Sequence, residues 1–244
     1  MQRSHSSEGF GALIAQAQAA AQAAAEAELS RALAAGFDSV EAWHAHRDEL
    51  ERLRAEAQTR AAREAHARLV LEQVGSRVSD DVARRLVAGE GLDDTPAHVA
   101  VRDWLASDRP TLVLSGGTGV GKTVAAVRAM LTRQRVQFIR ALRIGAHFER
   151  WASDRESNVV ALDLGADLLV VDDLGQEPVE DRRAMPALEE VLDSRQSERT
   201  RTLITTNLDA DAIRDRYSER IRSRLAQNAK LFAVPGDDRR RVRR

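Results

Sequence analysis

The sequence contains no cysteine, and it has few aromatic residues, few prolines and only two lysines. The absence of cysteine excludes disulfides, cysteine-based zinc sites, thiol catalysis and iron–sulfur clusters. No run of about 18 apolar residues occurs, which excludes a membrane-spanning helix. The first residues also lack the pattern of a secretory signal. We therefore expect a cytoplasmic protein that makes no contact with a membrane.

The 244 residues are 43% hydrophobic and 31% charged, and the formal net charge is −1. This balance excludes a wholly disordered chain, and the length supports one substantial core with an appendage. The near-neutral charge by itself does not indicate nucleic-acid binding. Because every other basic residue is arginine, Lys122 and Lys230 are the candidates for roles that need a lysine.

The first third of the sequence predicts helices. Residues 1–10 are small and polar, and we expect them to be disordered. Residues 11–35 are almost entirely alanine with Gln, Glu and Leu, and alanine is the strongest helix former. A second helical pattern starts with a predicted cap at Asp38, ends before Gly75, and has the narrow apolar stripe of a coiled coil. We expect residues 11–75 to form a helical hairpin or a self-associating coiled coil that binds a partner, or else a solvated spacer.

Residues 76–110 predict two short helices, which we expect to link the N-terminal region to a larger domain at residues 111–240. From Thr111 onward strand and helix patterns alternate, which is typical of a parallel sheet covered by helices. A basic tail follows at 241–244. The strand candidates are Thr111–Ser115, Val136–Arg140, Leu168–Asp172, Thr202–Thr206 and Leu231–Val234.

A glycine-rich segment after the first strand candidate gives the strongest functional signal. It fits the pattern G-x-x-x-x-G-K-[ST] between a strand and a helix. Such glycines let backbone N–H groups turn toward phosphates, and the helix N-terminus adds positive charge. Lys122 is predicted to reach the β- and γ-phosphates of ATP, and the Thr123 hydroxyl to coordinate Mg²⁺. The phosphate-binding residues predicted here are Gly116, Gly117, Thr118, Gly119, Val120, Gly121, Lys122 and Thr123.

Polar side chains follow two further strand candidates. Asp172 and Asp173 end the apolar run that starts at Leu168, and ligands of open α/β sheets bind at the carboxyl ends of the strands. Asp172 is predicted to hold Mg²⁺, and Asp173 to orient or deprotonate the attacking water. Asn207 follows another strand and could contact the γ-phosphate, or instead cap the helix that begins near Asp209.

Arginines occur at helical spacing near the C-terminus. Arg220 and Arg224 share one face of a predicted helix, whereas Ile221 and Leu225 lie toward the core. An arginine on such a helix can act on the nucleotide of a neighbouring subunit. From spacing alone, a solvated basic face is the alternative.

Together these motifs resemble the AAA+ ATPases of the DnaC/DnaI helicase-loader type and the related IstB transposition helpers. The resemblance implies an α/β AAA+ fold with a five-stranded parallel sheet in the order 5-1-4-3-2. It also implies ATP hydrolysis at the interfaces of a homo-oligomer, with Asn207 sensing the γ-phosphate and Arg224 as the arginine finger. Arg240 is implied to be a second sensor of the nucleotide, with Arg239 as the fallback. The motifs that carry the resemblance are residues 116–123, 167–175, 203–208, 217–225 and 236–240.

Two features depart from the family pattern, because Asp173 stands where most AAA+ proteins have Glu, and no aromatic residue lies beside Arg240. The first departure is consistent with slow turnover.

The leading functional hypothesis is a helicase loader. Its helical region would bind the replicative helicase, and its ATPase domain would bind ATP, Mg²⁺ and single-stranded DNA. The low aromatic content, 4%, favours basic contacts to DNA over base stacking. The alternatives are an IstB-like helper that binds duplex DNA and activates a transposase, a nucleotide-binding scaffold with little turnover, and a small-molecule kinase.

Overall fold

The computed structural model describes residues 5–152, 162–178 and 180–238. The contacts divide the chain into two units, residues 1–62 and 63–244. The helices of the described ranges are α1 (His5–Ala34), α2 (Val40–Val74), α3 (Asp80–Ala88), α4 (Pro96–Leu105), α5 (Lys122–Met130), α6 (Ile144–Ala152), α7 (Ala184–Ser197), α8 (Ala210–Arg216) and α9 (Glu219–Asn228). The strands are β1 (Thr111–Ser115), β2 (Val136–Arg140), β3 (Leu168–Leu174), β4 (Arg201–Thr206) and β5 (Ala229–Ala233).

The N-terminal unit consists of α1 and the first part of α2, which confirms the predicted all-α N-terminal region. Helix α1 already begins at His5, whereas the sequence predicts disorder up to residue 10. Residues 1–4 lie outside the described ranges.

The turn between α1 and α2 is held by local contacts. Gly36 adopts a left-handed φ of 84° after α1, a conformation that glycine reaches without strain. Ser39, rather than the predicted Asp38, caps α2, because its Oγ accepts the backbone N–H of Ala42 at 3.1 Å. The Phe37 and His46 rings lie 5.1 Å apart. The sequence therefore places the turn correctly and its cap one residue early.

Four leucines of the N-terminal unit are exposed to solvent. Their fractional exposures are 43% for Leu29, 57% for Leu33, 38% for Leu50 and 48% for Leu53. Single exposed leucines are ordinary at a protein surface, but among the side chains of this unit whose burial the structure describes, Ala32 is the only buried one. Within the described residues, no helix is both long and apolar enough to cross a membrane.

The second unit is built on a parallel five-stranded sheet in the order β2-β3-β4-β1-β5. This is the predicted order read from the opposite edge, so the fold prediction is confirmed. The register places Ser115 of β1 beside Thr206 of β4 and Arg140 of β2 beside Asp172 of β3. The carboxyl ends of these strands are consequently level, and the loops that carry the predicted site leave the sheet at one edge.

Side chains of each strand alternate between two hydrophobic cores, as the period of two residues in a strand requires. Leu112 and Leu114 of β1 belong to the core that also contains residues of α2, α3, α4 and α5. Val113 belongs to the opposite core, which contains residues of α6, α7, α8 and α9. Helices therefore cover both faces of the sheet, as a parallel sheet requires.

The end of α2 and the segment predicted as a linker are part of this core. Val70 and Val74 of α2 are buried against the sheet. Gln73 bonds the free edge of β2, since its Nε2 donates to the Val136 carbonyl at 3.3 Å and its Oε1 accepts the Phe138 N–H at 2.9 Å. Residues 76–110 also pack here, so the division between the units lies after residue 62, earlier than the sequence suggests.

Arg195 of α7 is 1% exposed and joins the start of β4 to the loop before β3. Its guanidinium donates to Thr202 Oγ1 at 2.9 Å, and to the carbonyls of Leu164 at 2.6 Å, Ala166 at 2.9 Å and Arg201 at 2.6 Å. Burial lowers the pKa of Arg195 to about 10. Each of the three guanidinium nitrogens of Arg195 therefore has a hydrogen-bond acceptor.

Replacing Arg195 by methionine should lower the free energy of unfolding by about 3–5 kcal/mol, because the buried Ala166 carbonyl and Thr202 hydroxyl and two partly buried carbonyls lose their donor. Urea denaturation followed by circular dichroism measures this change. The matched control is Arg214→Met, since Arg214 pairs with Asp211 at the surface, and it should change stability little. Equal stability of the two variants would contradict the structural role of Arg195.

Candidate active site

The loop between β1 and α5 forms the floor of the site. Gly116, Gly119 and Gly121 have φ values of 156°, 79° and 99°, which side chains larger than glycine rarely adopt. At Gly116 a Cβ atom would also lie 2.8 Å from the Val234 carbonyl oxygen. The loop then enters α5 at Lys122, so its backbone N–H groups and the helix N-terminus meet where phosphates are predicted to bind.

Lys122 is 6% exposed, and its ammonium group is held inside the loop. Its Nζ donates to the carbonyls of Gly116 and Gly117, both at 2.7 Å, and to Asn207 Oδ1 at 2.9 Å. The structure thus brings the predicted phosphate-binding lysine and the predicted γ-phosphate sensor into direct contact. It also shows that the helix cap after Asn207 is Asp209, whose Oδ1 accepts the Ala212 N–H at 2.8 Å, so Asn207 has no capping role.

Asp172 is fully buried at the end of β3. Its Oδ1 accepts the hydroxyls of Thr123 at 2.9 Å and Thr205 at 2.8 Å. Arg77 Nε donates to its Oδ2 at 2.9 Å. The two residues predicted to hold Mg²⁺, Thr123 and Asp172, are therefore in direct contact.

Asp173 lies at a bulge in β3, where the pairing with β4 shifts between Val171 and Leu174. Its φ of 59° is left-handed, which is uncommon for a residue other than glycine. The N–H of Asp173 donates to Thr205 Oγ1 at 2.9 Å, and its carboxylate is paired with Arg77. A bulge re-aims side chains, and here it presents two consecutive carboxylates at the same edge of the sheet.

The donor atoms at this edge fit Mg²⁺. A hydroxyl and a carboxylate oxygen are the hard ligands that Mg²⁺ prefers, and the ion commonly takes one or two carboxylates with the rest of its shell from phosphate and water. Across residues 5–152, 162–178 and 180–238, no group of three or more His, Asp or Glu forms a complete metal cage. The protein side would thus supply only part of the coordination shell.

Arg224 and Arg220 lie on α9 and both pair with α7 of the same subunit. Arg224 forms an ion pair with Asp193, and Arg220 lies 3.5 Å from Glu189. The opposite side of α9 is apolar, with Ile221 fully buried. The structure therefore places the predicted arginine finger on a partly exposed helix face, paired with α7 of its own chain.

Glu177 connects the turn after β3 with the segment before α9. Its buried carboxylate accepts the Tyr217 hydroxyl at 3.0 and 3.1 Å, the Gly175 N–H at 3.1 Å and Arg216 Nη2 at 3.2 Å. Burial, followed by the negative charge of Glu177, raises the pKa of Tyr217. The acidic strand end and the start of the arginine helix are thereby fixed to each other.

The chain after β5 passes over the phosphate-binding loop. The Val234 N–H donates to the Ser115 carbonyl at 2.6 Å. A Cβ atom at Gly119 would lie 1.8 Å from Asp238 Oδ1, so this carboxylate lies against the loop backbone. Arg239 and Arg240, which the resemblance implies as the second sensor, lie outside the described residues.

Three contacts at the site have no signal in the sequence pattern: Arg77 on the acidic pair, Thr205 on Asp172, and the Glu177–Tyr217 pair. Thr205 was visible only as part of the strand that ends at Asn207. The partners in these contacts lie far apart along the chain, and only the packing of the sheet brings them together.

A family model described as IstB-like ATP binding protein matches residues 11–241. The chain belongs to this family. No curated protein matches this chain at a significant level. As its family name states, this IstB-like protein is a nucleotide-binding protein.

Several solved structures are similar to this IstB-like protein in outline. They include the DnaC helicase loader (18% identity, 64% of this chain and 92% of that chain, TM-score 0.44) and DnaI (24% identity, 60% and 85%, TM-score 0.42). AMPPCP-bound DnaA from Aquifex aeolicus is also similar (16% identity, 62% and 50%, TM-score 0.49). At these values the likenesses carry no argument about function, and the assignment rests on the family match.

Proposed function

We propose that this IstB-like protein hydrolyses ATP at the carboxyl edge of its sheet. One observation carries the proposal: Lys122 contacts Asn207 at 2.9 Å while Thr123 contacts Asp172 at 2.9 Å, so four predicted site residues converge on one loop. When bound, Mg²⁺ would neutralise charge on the phosphates. Thr123 and Asp172 would hold it, Lys122 would exchange its carbonyl partners for phosphate oxygens, and Asn207 would sense the γ-phosphate.

The remaining roles in hydrolysis follow from position. Asp173 is the carboxylate of the pair that is partly open to solvent, with 21% of its side chain exposed, so it would orient the attacking water. Arg224 would complete the site of a neighbouring subunit, because its side chain lies on a partly exposed face of α9 where a second subunit can reach it. The protein would accordingly hydrolyse ATP as a homo-oligomer. Arg240 remains our proposal for the second sensor.

The biological role that we propose is that of a helicase loader in DNA replication, working in the cytoplasm. The N-terminal unit would bind the replicative helicase, and its exposed leucines at positions 29, 33, 50 and 53 offer apolar contacts for that purpose. The second unit would bind ATP and contact single-stranded DNA through basic side chains. The ion pairs and buried acids described above belong to the ATPase part and do not depend on this role.

Removing residues 1–62 should leave ATP binding intact and abolish recruitment of the partner. The cut leaves the end of α2 in place, since Val70, Gln73 and Val74 are part of the ATPase core. Full-length and truncated protein would be incubated with ATP and Mg²⁺ in lysate of the host, and captured proteins identified by mass spectrometry. Capture of a replicative helicase by the full-length protein alone is the expected result. Equal capture by the truncated protein would contradict the proposed division of labour.

A second candidate function is a transposition helper that binds duplex DNA and activates a transposase. The observation that favours it is the family match over residues 11–241, since the model is named for IstB. Capture of a transposase in place of a helicase would decide for this function. The ATPase site described above serves either role.

A further inference from the structure

The guanidinium of Arg77 contacts both acids of the site, Asp172 and Asp173. Arg77 lies in a short 3-10 turn, Gly75–Arg77, directly after α2. Its Nε bonds Asp172 at 2.9 Å, and its Nη2 bonds Asp173. The acids lie 95 and 96 residues further along the chain, and the contact spans both carboxylates with one guanidinium.

The carboxylate oxygens of Asp172 are all engaged in this arrangement. Oδ1 accepts two hydroxyls, from Thr123 and Thr205, and Oδ2 accepts Arg77. Although partial burial favours the neutral guanidinium, the charges of Asp172 and Asp173 hold the pKa of Arg77 above its ordinary value. Two adjacent carboxylates, one of them fully buried, need a cation nearby, and Arg77 is that cation.

A metal ion held by Thr123 and Asp172 would perform the same electrostatic task at the same oxygens. If Mg²⁺ bound with its nucleotide while Arg77 stayed in place, two cations, the metal ion and the guanidinium, would lie beside the same pair of carboxylates. These two positive charges would repel each other. The backbone around Arg77 is anchored, because Val74 and Val78 are buried and Gln73 is bonded to β2. The Arg77 side chain, which is 29% exposed, has room to turn outward.

We propose that Arg77 competes with the metal of a metal–nucleotide complex for Asp172 and Asp173, and has to leave the acids when that complex binds. The inference rests on the proposed function and adds a control element to the same site. In this role Arg77 raises the Mg²⁺ concentration that the site requires. An arginine that merely held the fold together would not do so.

The test is a Mg²⁺ titration of fluorescent mant-ATP binding by the full-length protein and its variants. Arg77→Ala should reach half-saturation at about tenfold lower Mg²⁺ than the wild type, the effect expected from removing a charged hydrogen bond. Arg77→Lys keeps the charge but cannot bridge both acids, and it should lie between the two. The control is Arg84→Ala, because Arg84 pairs with Asp81 on the surface of α3, and its titration should match the wild type.

The outcomes separate this inference from the proposed function. Unchanged or higher Mg²⁺ demand in Arg77→Ala, with normal Mg²⁺-dependent binding in the wild type, would overturn the role of Arg77 and leave the ATP site standing. Absence of Mg²⁺-dependent nucleotide binding in the wild type would overturn both. If Arg77→Ala fails to fold, the titration of Arg77→Lys decides alone, since a lysine titration equal to that of the wild type contradicts the competition.

Discussion

Replacing Lys122 by alanine should weaken ATP binding by about a hundredfold and remove measurable turnover. The reason is that its ammonium lies at the point where the loop carbonyls and Asn207 converge, and no other lysine lies in the loop. Direct titration with mant-ATP measures the affinity for ATP. Phosphate release at saturating ATP measures turnover separately.

The chain contains a matched control for Lys122→Ala. Lys230 is the only other lysine in the sequence, and it lies in β5, away from the phosphate-binding loop. Lys230→Ala removes the same group and should bind ATP like the wild type. Normal binding by Lys122→Ala would show that nucleotide binds elsewhere, and the site assignment would fall.

Replacing Arg224 by alanine should leave ATP binding unchanged and lower turnover by about a thousandfold or more, the usual contribution of an arginine finger. In its own subunit Arg224 only pairs with Asp193 on a partly exposed surface, so the fold should persist. Binding would be followed with mant-ATP, and turnover with phosphate release at protein concentrations that favour assembly.

Arg220→Ala is the matched control for Arg224→Ala. Arg220 lies one helical turn away on α9 and pairs with Glu189 of the same helix α7, so the two variants remove the same charge from the same face. Turnover of Arg220→Ala should stay near that of the wild type. If the two variants lose turnover equally, the effect belongs to the α7–α9 contact and the finger assignment is wrong.

The sequence pattern predicts the sheet well, because its signals are local. Each strand is a short apolar run followed by a polar or glycine-rich turn, and the bounds of β1 and β2 follow from such runs. Differences arise at the ends. β3 continues through Asp173 to Leu174, because the bulge keeps it paired with β4. Helix α5 ends at Met130, and just beyond it the Thr132 hydroxyl bonds the Ala129 carbonyl at 2.7 Å and competes with the helix.

The phosphate-binding loop and the acids could be predicted for the same reason, since both are contiguous motifs. The contacts of Arg77 and Glu177 at the site could not be predicted in this way. Nothing in the short helix-ending run around Arg77 distinguishes it from the many surface arginines of this chain. Its contact with Asp172 exists because the end of α2 lies along β2, the neighbour of β3. No hydropathy pattern in the sequence indicates that these segments lie close together.

The division at residue 62 could not be predicted either. The helical pattern of α2 is continuous, but its last residues include Val70 and Val74, which are buried, and Gln73, which completes the edge of the sheet. Sequence periodicity shows where a helix ends. It does not show at which residue of that helix burial in the core begins.

We propose that ATP is hydrolysed between subunits, with the loop of one chain and Arg224 of the next. The most direct test mixes the two inactive variants, Lys122→Ala and Arg224→Ala, and measures phosphate release. In a mixed assembly, Arg224 of the Lys122→Ala subunit faces the intact loop of the Arg224→Ala subunit. The account predicts that the mixture regains turnover that neither variant has alone. A mixture that stays as inactive as its components, while still assembling, would contradict it.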